Sequence, residues 1–319
     1  MLVLTILIPL IVAVGLGASV TRLSRSMRPS VAVRMFALGG VLVAMGTGVS
    51  LSVVAMFLLA RADRVAALGH WSRRGLPSVG YLPWPVGVPV AVAVGLLLFA
   101  AAAHAMRAGH RLWVADGLCR RLRPTLDDHR TVVIEQDEPD AYAVAGIRGR
   151  IVVSTAMLAA LSAPEQRVLL AHERAHLAHH HHLWIQLSEI AAAANPLLRR
   201  LPAAVRLAAE RWADEDAAAH VGDRRVAARA IAHAALARHQ QHAKSERAPA
   251  LAATGGDVPR RVQALLHPPR LRCSGVLSVA LVVIFTGVLT ASAVTAHDTE
   301  QQFEYAQALH PSAAPASLR

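Results

Sequence analysis

The chain has 319 residues, is 54% hydrophobic and carries a formal charge of +12, nearly all of it arginine. A mean hydropathy of +0.39 excludes an ordinary soluble enzyme and requires membrane spans. The basic excess fits loops that obey the positive-inside rule, and no basic stripe interleaved with aromatics supports direct nucleic-acid binding. The two cysteines, Cys119 and Cys273, form no C-x-x-C pair. They are read as free thiols, outside any disulfide framework or thiolate zinc site.

Residues 2–20 form an apolar run long enough to cross a bilayer. No Lys or Arg precedes it, unlike a signal peptide, whereas Arg22, Arg25, Arg28 and Arg34 follow it. An uncleaved span is expected, with its N-terminus outside and these arginines inside. A second span, 36–60, is rich in the small residues that pack helices in lipid. The connection 61–85 holds Trp71, Tyr81 and Trp84, which suit an interface. It also holds Arg61, Arg64, Arg73 and Arg74 against Asp63 alone, a poor balance for an external loop. Span parity nevertheless places it outside. A third span, 86–106, stops at Arg107 and Arg111, so 1–106 is read as three transmembrane helices.

Residues 107–274 contain 24 Arg/Lys and 17 Asp/Glu and no further long apolar run. They are read as a cytoplasmic domain, followed by a fourth span, 275–296. The remainder, 297–319, has Asp298, Glu300 and Glu304 against Arg319. It reads as a short external tail. Within the domain, 131–135, 141–145 and 150–153 are strand-like, with a turn at 146–149 and a small antiparallel sheet expected. Ser162-Ala-Pro-Glu165 is a capping box that starts a helix. Further helices are expected over about 203–221, up to Gly222, and about 224–243. A short amphipathic one covers 259–266. Residues 244–257 read as a mobile loop.

The first of these helices carries Leu169-Leu-Ala-His172-Glu173-Arg-Ala-His176. Two imidazoles four residues apart share a helix face and can hold one zinc ion. The Glu next to the first His can take a proton from the attacking water. A catalytic site needs one more protein ligand, and Glu189, Glu210, Asp214, Glu215 and Asp216 are candidates. Glu210-Arg-Trp-Ala-Asp214 is the most informative, because its two carboxylates share a face edged by Ala209, Ala213 and Ala217. Glu210 as a ligand and Asp214 as partner of a ligand His is one reading. A solvated acidic face is the other. The run His179 to His182 reads as a polar helix end, with a weak accessory metal site as the lesser alternative.

On these residues the chain resembles the BlaR/MecR family of membrane zinc metallopeptidases. The resemblance is carried by Ala141-Tyr-Ala-Val-Ala-Gly146, Arg150-Ile-Val-Val-Ser154, the His172–His176 segment and Asn195-Pro-Leu-Leu198. Glu210-Arg-Trp-Ala-Asp214 and Arg261-Val-Gln-Ala-Leu-Leu266 extend it to the last span. Prenyl-protease and HtpX-type peptidases share the two zinc motifs but place a membrane hairpin between them. Here 177–209 offers no span. The resemblance implies a multi-span α-helical membrane protein with an inserted α+β, gluzincin-like metalloprotease domain. It makes His172, His176 and Glu210 the zinc ligands, Glu173 the general base and Asp214 a support behind the ligands.

A substrate strand is expected to add to an edge formed by Arg150, Ile151, Val152, Val153 and Ser154. The family's sensor members carry a penicillin-binding domain after the fourth span, and only a short tail is present here, so beta-lactam sensing does not carry over. The expected function is zinc-dependent endoproteolysis of a cytoplasmic protein at the plasma membrane, with a transcriptional repressor as the substrate that the resemblance suggests. A general membrane quality-control protease and a non-catalytic zinc-stabilised membrane sensor or scaffold remain alternatives.

Overall fold

A computed structural model describes residues 2–72, 76, 83–125, 130–146, 149–244, 257–267 and 274–309. Part of the turn expected at 146–149, most of the loop expected at 244–257, Arg73, Arg74, Tyr81, Cys273 and residues beyond 309 lie outside them.

Four helices are long and apolar enough to cross a membrane: α1 (Leu2–Ser26), α2 (Pro29–Leu59), α4 (Gly87–Arg121) and α11 (Ser274–Ala308). They mark the chain as an integral membrane protein. Between α2 and α4 lies the short α3 (Asp63–Gly69). α4 continues well past residue 106 and α11 well past 296, because hydropathy marks where the apolar stretch ends, not where the helix does. The far ends of α1, α2 and α11 meet with 61–72. Thr295 donates to Thr5 at 2.9 Å, Trp71 sits edge-on to Phe303 at 5.1 Å, and the Trp71 indole donates to the Ala60 carbonyl at 3.0 Å.

At the opposite end is a three-stranded sheet of β1 (Thr131–Ile134), β2 (Ala141–Val144) and β3 (Arg150–Ser154), in the order β1-β3-β2. β3 pairs in parallel with β1 and antiparallel with β2. The sheet is therefore mixed rather than antiparallel. The chain from β1 crosses to the far side of β3 instead of turning back as a hairpin. β3 is central and engaged on both sides, so Arg150–Ser154 is not the edge expected of it; β1 and β2 are the edges of the sheet.

Among the described residues six α-helices lie between the sheet and α11, beginning with α5 (Thr155–Ala160), which Ser154 caps by accepting from the Met157 amide at 3.1 Å. The capping box then starts α6 (Ala163–Ala178): Glu165 accepts from the Ser162 amide at 3.0 Å and its hydroxyl at 2.8 Å. α6 stops where His180 adopts the left-handed region (φ 51), and α7 (His181–Ala194) begins. A 3-10 turn, Pro196–Leu198, leads to α8 (Leu201–Val221), which Gly222 ends at φ 77. α9 (Arg224–Lys244) and α10 (Val258–Leu266) complete the set.

The α7–α8 hairpin reaches further toward the spans than its composition suggests. Neither helix is among those long and apolar enough to cross a membrane. Yet the tip between them meets α1 and α2 near their middles. A Cβ on Gly17 would collide with the Leu197 carbonyl oxygen, and one on Gly40 with the Leu201 side chain. The Asn195 amide donates to the Thr47 hydroxyl at 3.1 Å, a buried polar contact between hairpin and span. Leu198, Leu201, Val205 and Ala208 share one core with Leu16 and Val20 of α1, Phe36 and Val43 of α2 and Phe285 of α11. Helical packing of this kind is set by small residues that let backbones approach.

Candidate metal centre and groove

α6 and α8 pack side by side, and the site forms between them. The four-residue step from His172 to His176 turns both rings the same way, with Nε2 atoms 3.1 Å apart. Glu210 comes across from α8. Its Oε2 is 3.5 Å from His172 Nε2 and its Oε1 is 3.5 Å from His176 Nε2. Bonds of about 2.0–2.1 Å to a tetrahedral zinc ion set its ligand atoms about 3.3 Å apart. The three residues thus fit such an ion with little adjustment, and a candidate ligand atom from each lies within 4.8 Å of the others.

Asp214, one turn beyond Glu210 and 3% exposed at its side chain, lies 3.0 Å from His172 Nδ1. The small side chains of Ala209, Ala213 and Ala217, all buried, permit this close approach of α8. The remaining acidic candidates are used elsewhere. Glu189 pairs with Arg206, Glu215 with Arg224, and Asp216 with His179 at 2.5 Å. His233 lies 2.9 Å from Glu165, and His220 and His239 are exposed.

Glu173 is buried beside His172, His176 and Glu210, 8% exposed. Burial raises its carboxyl above the usual range, opposed by His172, Arg238 and an amide hydrogen bond from Ala143. Before any metal is counted, burial pushes the His172 imidazole down, but Asp214 and Glu210 outweigh it and raise the ring to about 10. Burial, aided by the charge on His172, lowers His176 to about 4. For Glu210, burial is outweighed by His172 and Arg261, which hold the carboxyl far below its ordinary value.

Three contributors carry no role at this site in the sequence reading, where His181 counts only as part of a polar helix end. Arg261 of α10 donates from Nη1 to Glu210 at 2.9 Å and grips Asp214 with Nε and Nη2. It opens the Arg261–Leu266 motif, but nothing in that motif says what it touches. Arg238 of α9 donates to the Ala141 carbonyl at 2.8 Å, on the free side of β2. His181 lies against His176. Arg261, Arg238 and the β2 edge border a groove of about 390 Å³, lined also by Tyr142, Leu177, Ile185 and Ile231. The edge of β2, whose Ala143 amide reaches Glu173, runs along this groove.

Residues 114–194 match the family model for Peptidase family M48. The matched region covers β1 to α7 and contains His172, Glu173 and His176, and it supports a zinc metallopeptidase family. No curated protein and no solved structure matches the chain. A membrane-associated metallopeptidase is the function this match suggests.

Proposed function

We propose that this chain is a membrane-bound zinc endopeptidase with a gluzincin-like domain and a BlaR/MecR-like architecture. Its substrate is a cytoplasmic protein, cleaved in regulatory proteolysis, with a transcriptional repressor as the favoured class. The domain spans 107–274, on the cytoplasmic side by the charge argument, with the four helices as its anchor. The observation that carries the reading is the ligand spacing at His172, His176 and Glu210, with a buried carboxylate at Glu173 beside it.

A zinc ion held there would polarise the scissile carbonyl and make a water molecule a stronger nucleophile. Glu173 takes the proton of the attacking water, a task suited to a carboxylate whose affinity for protons burial has raised. It then returns that proton to the leaving amine. A substrate segment laid along β2 is held by backbone hydrogen bonds with little regard for side chains. Asp214 and Arg261 keep Glu210 and His172 in register.

A quality-control role toward membrane proteins is a second reading, favoured by where the centre sits. The Arg34 guanidinium, at the α1-proximal end of α2, lies 4.8 Å over the Trp212 ring. Trp212 in turn stacks on His179 at 4.1 Å and touches His181. Only side chains separate the site from the end of a span. Comparison of cellular proteins between wild type and Glu173→Gln tests both. One accumulating cytoplasmic protein supports the regulatory reading, many membrane proteins support the second, and no change counts against proteolysis altogether.

A further inference from the structure

We infer that His181 is a positioning residue for the metal ligand His176, as Asp214 is for His172. The inference rests on the zinc reading of the site. His181 is completely buried, and its Nδ1 lies 3.0 Å from Nδ1 of His176. The two rings meet edge-on, with centroids 4.8 Å apart. Of the four consecutive histidines only this one is buried; His180 is exposed and His179 and His182 are half-buried.

The break between α6 and α7 produces this placement. A continuous helix would carry residue 181 past the face that holds 172 and 176. The left-handed His180 redirects the chain, and the ring of His181 turns back against His176. Trp212, 5.0 Å away, closes the other side.

Two tautomer arrangements satisfy an Nδ1–Nδ1 contact. In one, His176 carries its proton on Nδ1, donates it to His181 and leaves Nε2 with a free lone pair. In the other, His181 donates, and the His176 proton sits on Nε2, where a metal must bind. Only the first is compatible with a ligand whose Nε2 faces His172 and Glu210. His181 then carries its own proton on Nε2, a buried atom with no hydrogen-bond partner among the described residues. That arrangement favours metal by fixing both the ring plane and the tautomer of His176.

The test compares the zinc dissociation constants of the purified full chain and two variants by chelator competition. His181→Phe keeps the ring volume and removes the acceptor, and a rise of about 10- to 100-fold is expected. His181→Asn places an amide oxygen near the Nδ1 position and should restore most of the affinity. An unchanged constant in His181→Phe, or no recovery in His181→Asn, overturns the inference. ¹⁵N-histidine spectra of the zinc-loaded wild type, assigned with His181→Asn, need no stable Phe variant. A His181 ring protonated on Nε2 supports the proposal, and one protonated on Nδ1 overturns it. Failure of the wild type to bind zinc would instead defeat the metallopeptidase reading.

Discussion

Arg261 grips Asp214 through two parallel contacts, Nε to Oδ2 at 2.7 Å and Nη2 to Oδ1 at 2.6 Å. The same guanidinium reaches the metal-ligand candidate Glu210. A residue on the helix that precedes α11 thus helps hold both acidic members of the site. Paired planar forks of this kind fix geometry as well as charge.

Removing that fork should be severe. Arg261→Ala leaves Asp214 buried without its main partner, which costs about 3–5 kcal/mol in comparable buried pairs. Thermal unfolding in detergent should show the loss. Arg261→Lys should recover part of the stability but little activity, because an ammonium cannot grip Asp214 bidentately and reach Glu210 at once. Equal stability in all three proteins would contradict the role given to the fork.

Glu173→Gln isolates the proton transfer. The amide keeps the volume and leaves His172, His176 and Glu210 untouched, so bound zinc should stay near the wild-type level. Proteolysis should fall by about 10²- to 10⁴-fold. Metal analysis of the same preparation separates a lost base from a lost ion. Wild-type turnover in a zinc-loaded variant would remove Glu173 from the mechanism.

Metal uptake should depend on pH with a defined sign. Asp214 and Glu210 hold the proton on His172 up to about 10, and zinc requires the neutral ring. Binding near pH 7 should therefore release roughly one proton from that ring, and apparent affinity should rise with pH. The metal-free protein behaves in the opposite sense. The His172 charge contributes stability in full below its unfolded value of about 6.5, and this is lost as pH rises through about 10. Proton release in a weakly buffered zinc titration, and thermal melts of the metal-free chain across that window, check the two halves.

Arg238 links the edge of β2 to Glu173. Its positive charge lowers the proton affinity of Glu173, and its guanidinium covers the Ala141 carbonyl. Arg238→Gln should therefore raise the Glu173 pKa further and move the acid limb of the activity profile to higher pH. A profile of kcat/KM against pH measures this, and an acid limb that moves to lower pH would reverse the assigned sign.

Local sequence pattern carried some of this arrangement and not the rest, for physical reasons. A step of four between His172 and His176, the capping box at Ser162 and the stop at Gly222 are local devices, and the structure contains each at its position. The order of strands is not local. Alternation marked Ile151 and Val153 as strand residues but could not say that β1 would cross over and make β3 central. Asn195-Pro196 reads as a break between helices, and it is one. Its burial against Thr47 is a contact across 148 residues that no window registers. His181 was indistinguishable from its three neighbours because its burial depends on a single backbone conformation at His180.

That buried contact supports the last prediction. Thr47 donates to the Val43 carbonyl at 2.8 Å and accepts from Asn195, so its hydroxyl bridges helix and hairpin within a core of apolar side chains. Thr47→Val keeps the shape and leaves the Asn195 amide donor unsatisfied, at about 1–3 kcal/mol. Because the amide sits at the hairpin tip, while Glu210 lies midway along α8 and His172 and His176 lie on α6, the variant should lose stability while keeping its zinc constant. Gly17→Leu should do more, since its side chain must displace the Leu197 carbonyl and with it the start of α8. Melting temperature read beside zinc affinity distinguishes the two. A Thr47→Val protein as stable as wild type would mean that the hairpin tip is not held by this contact.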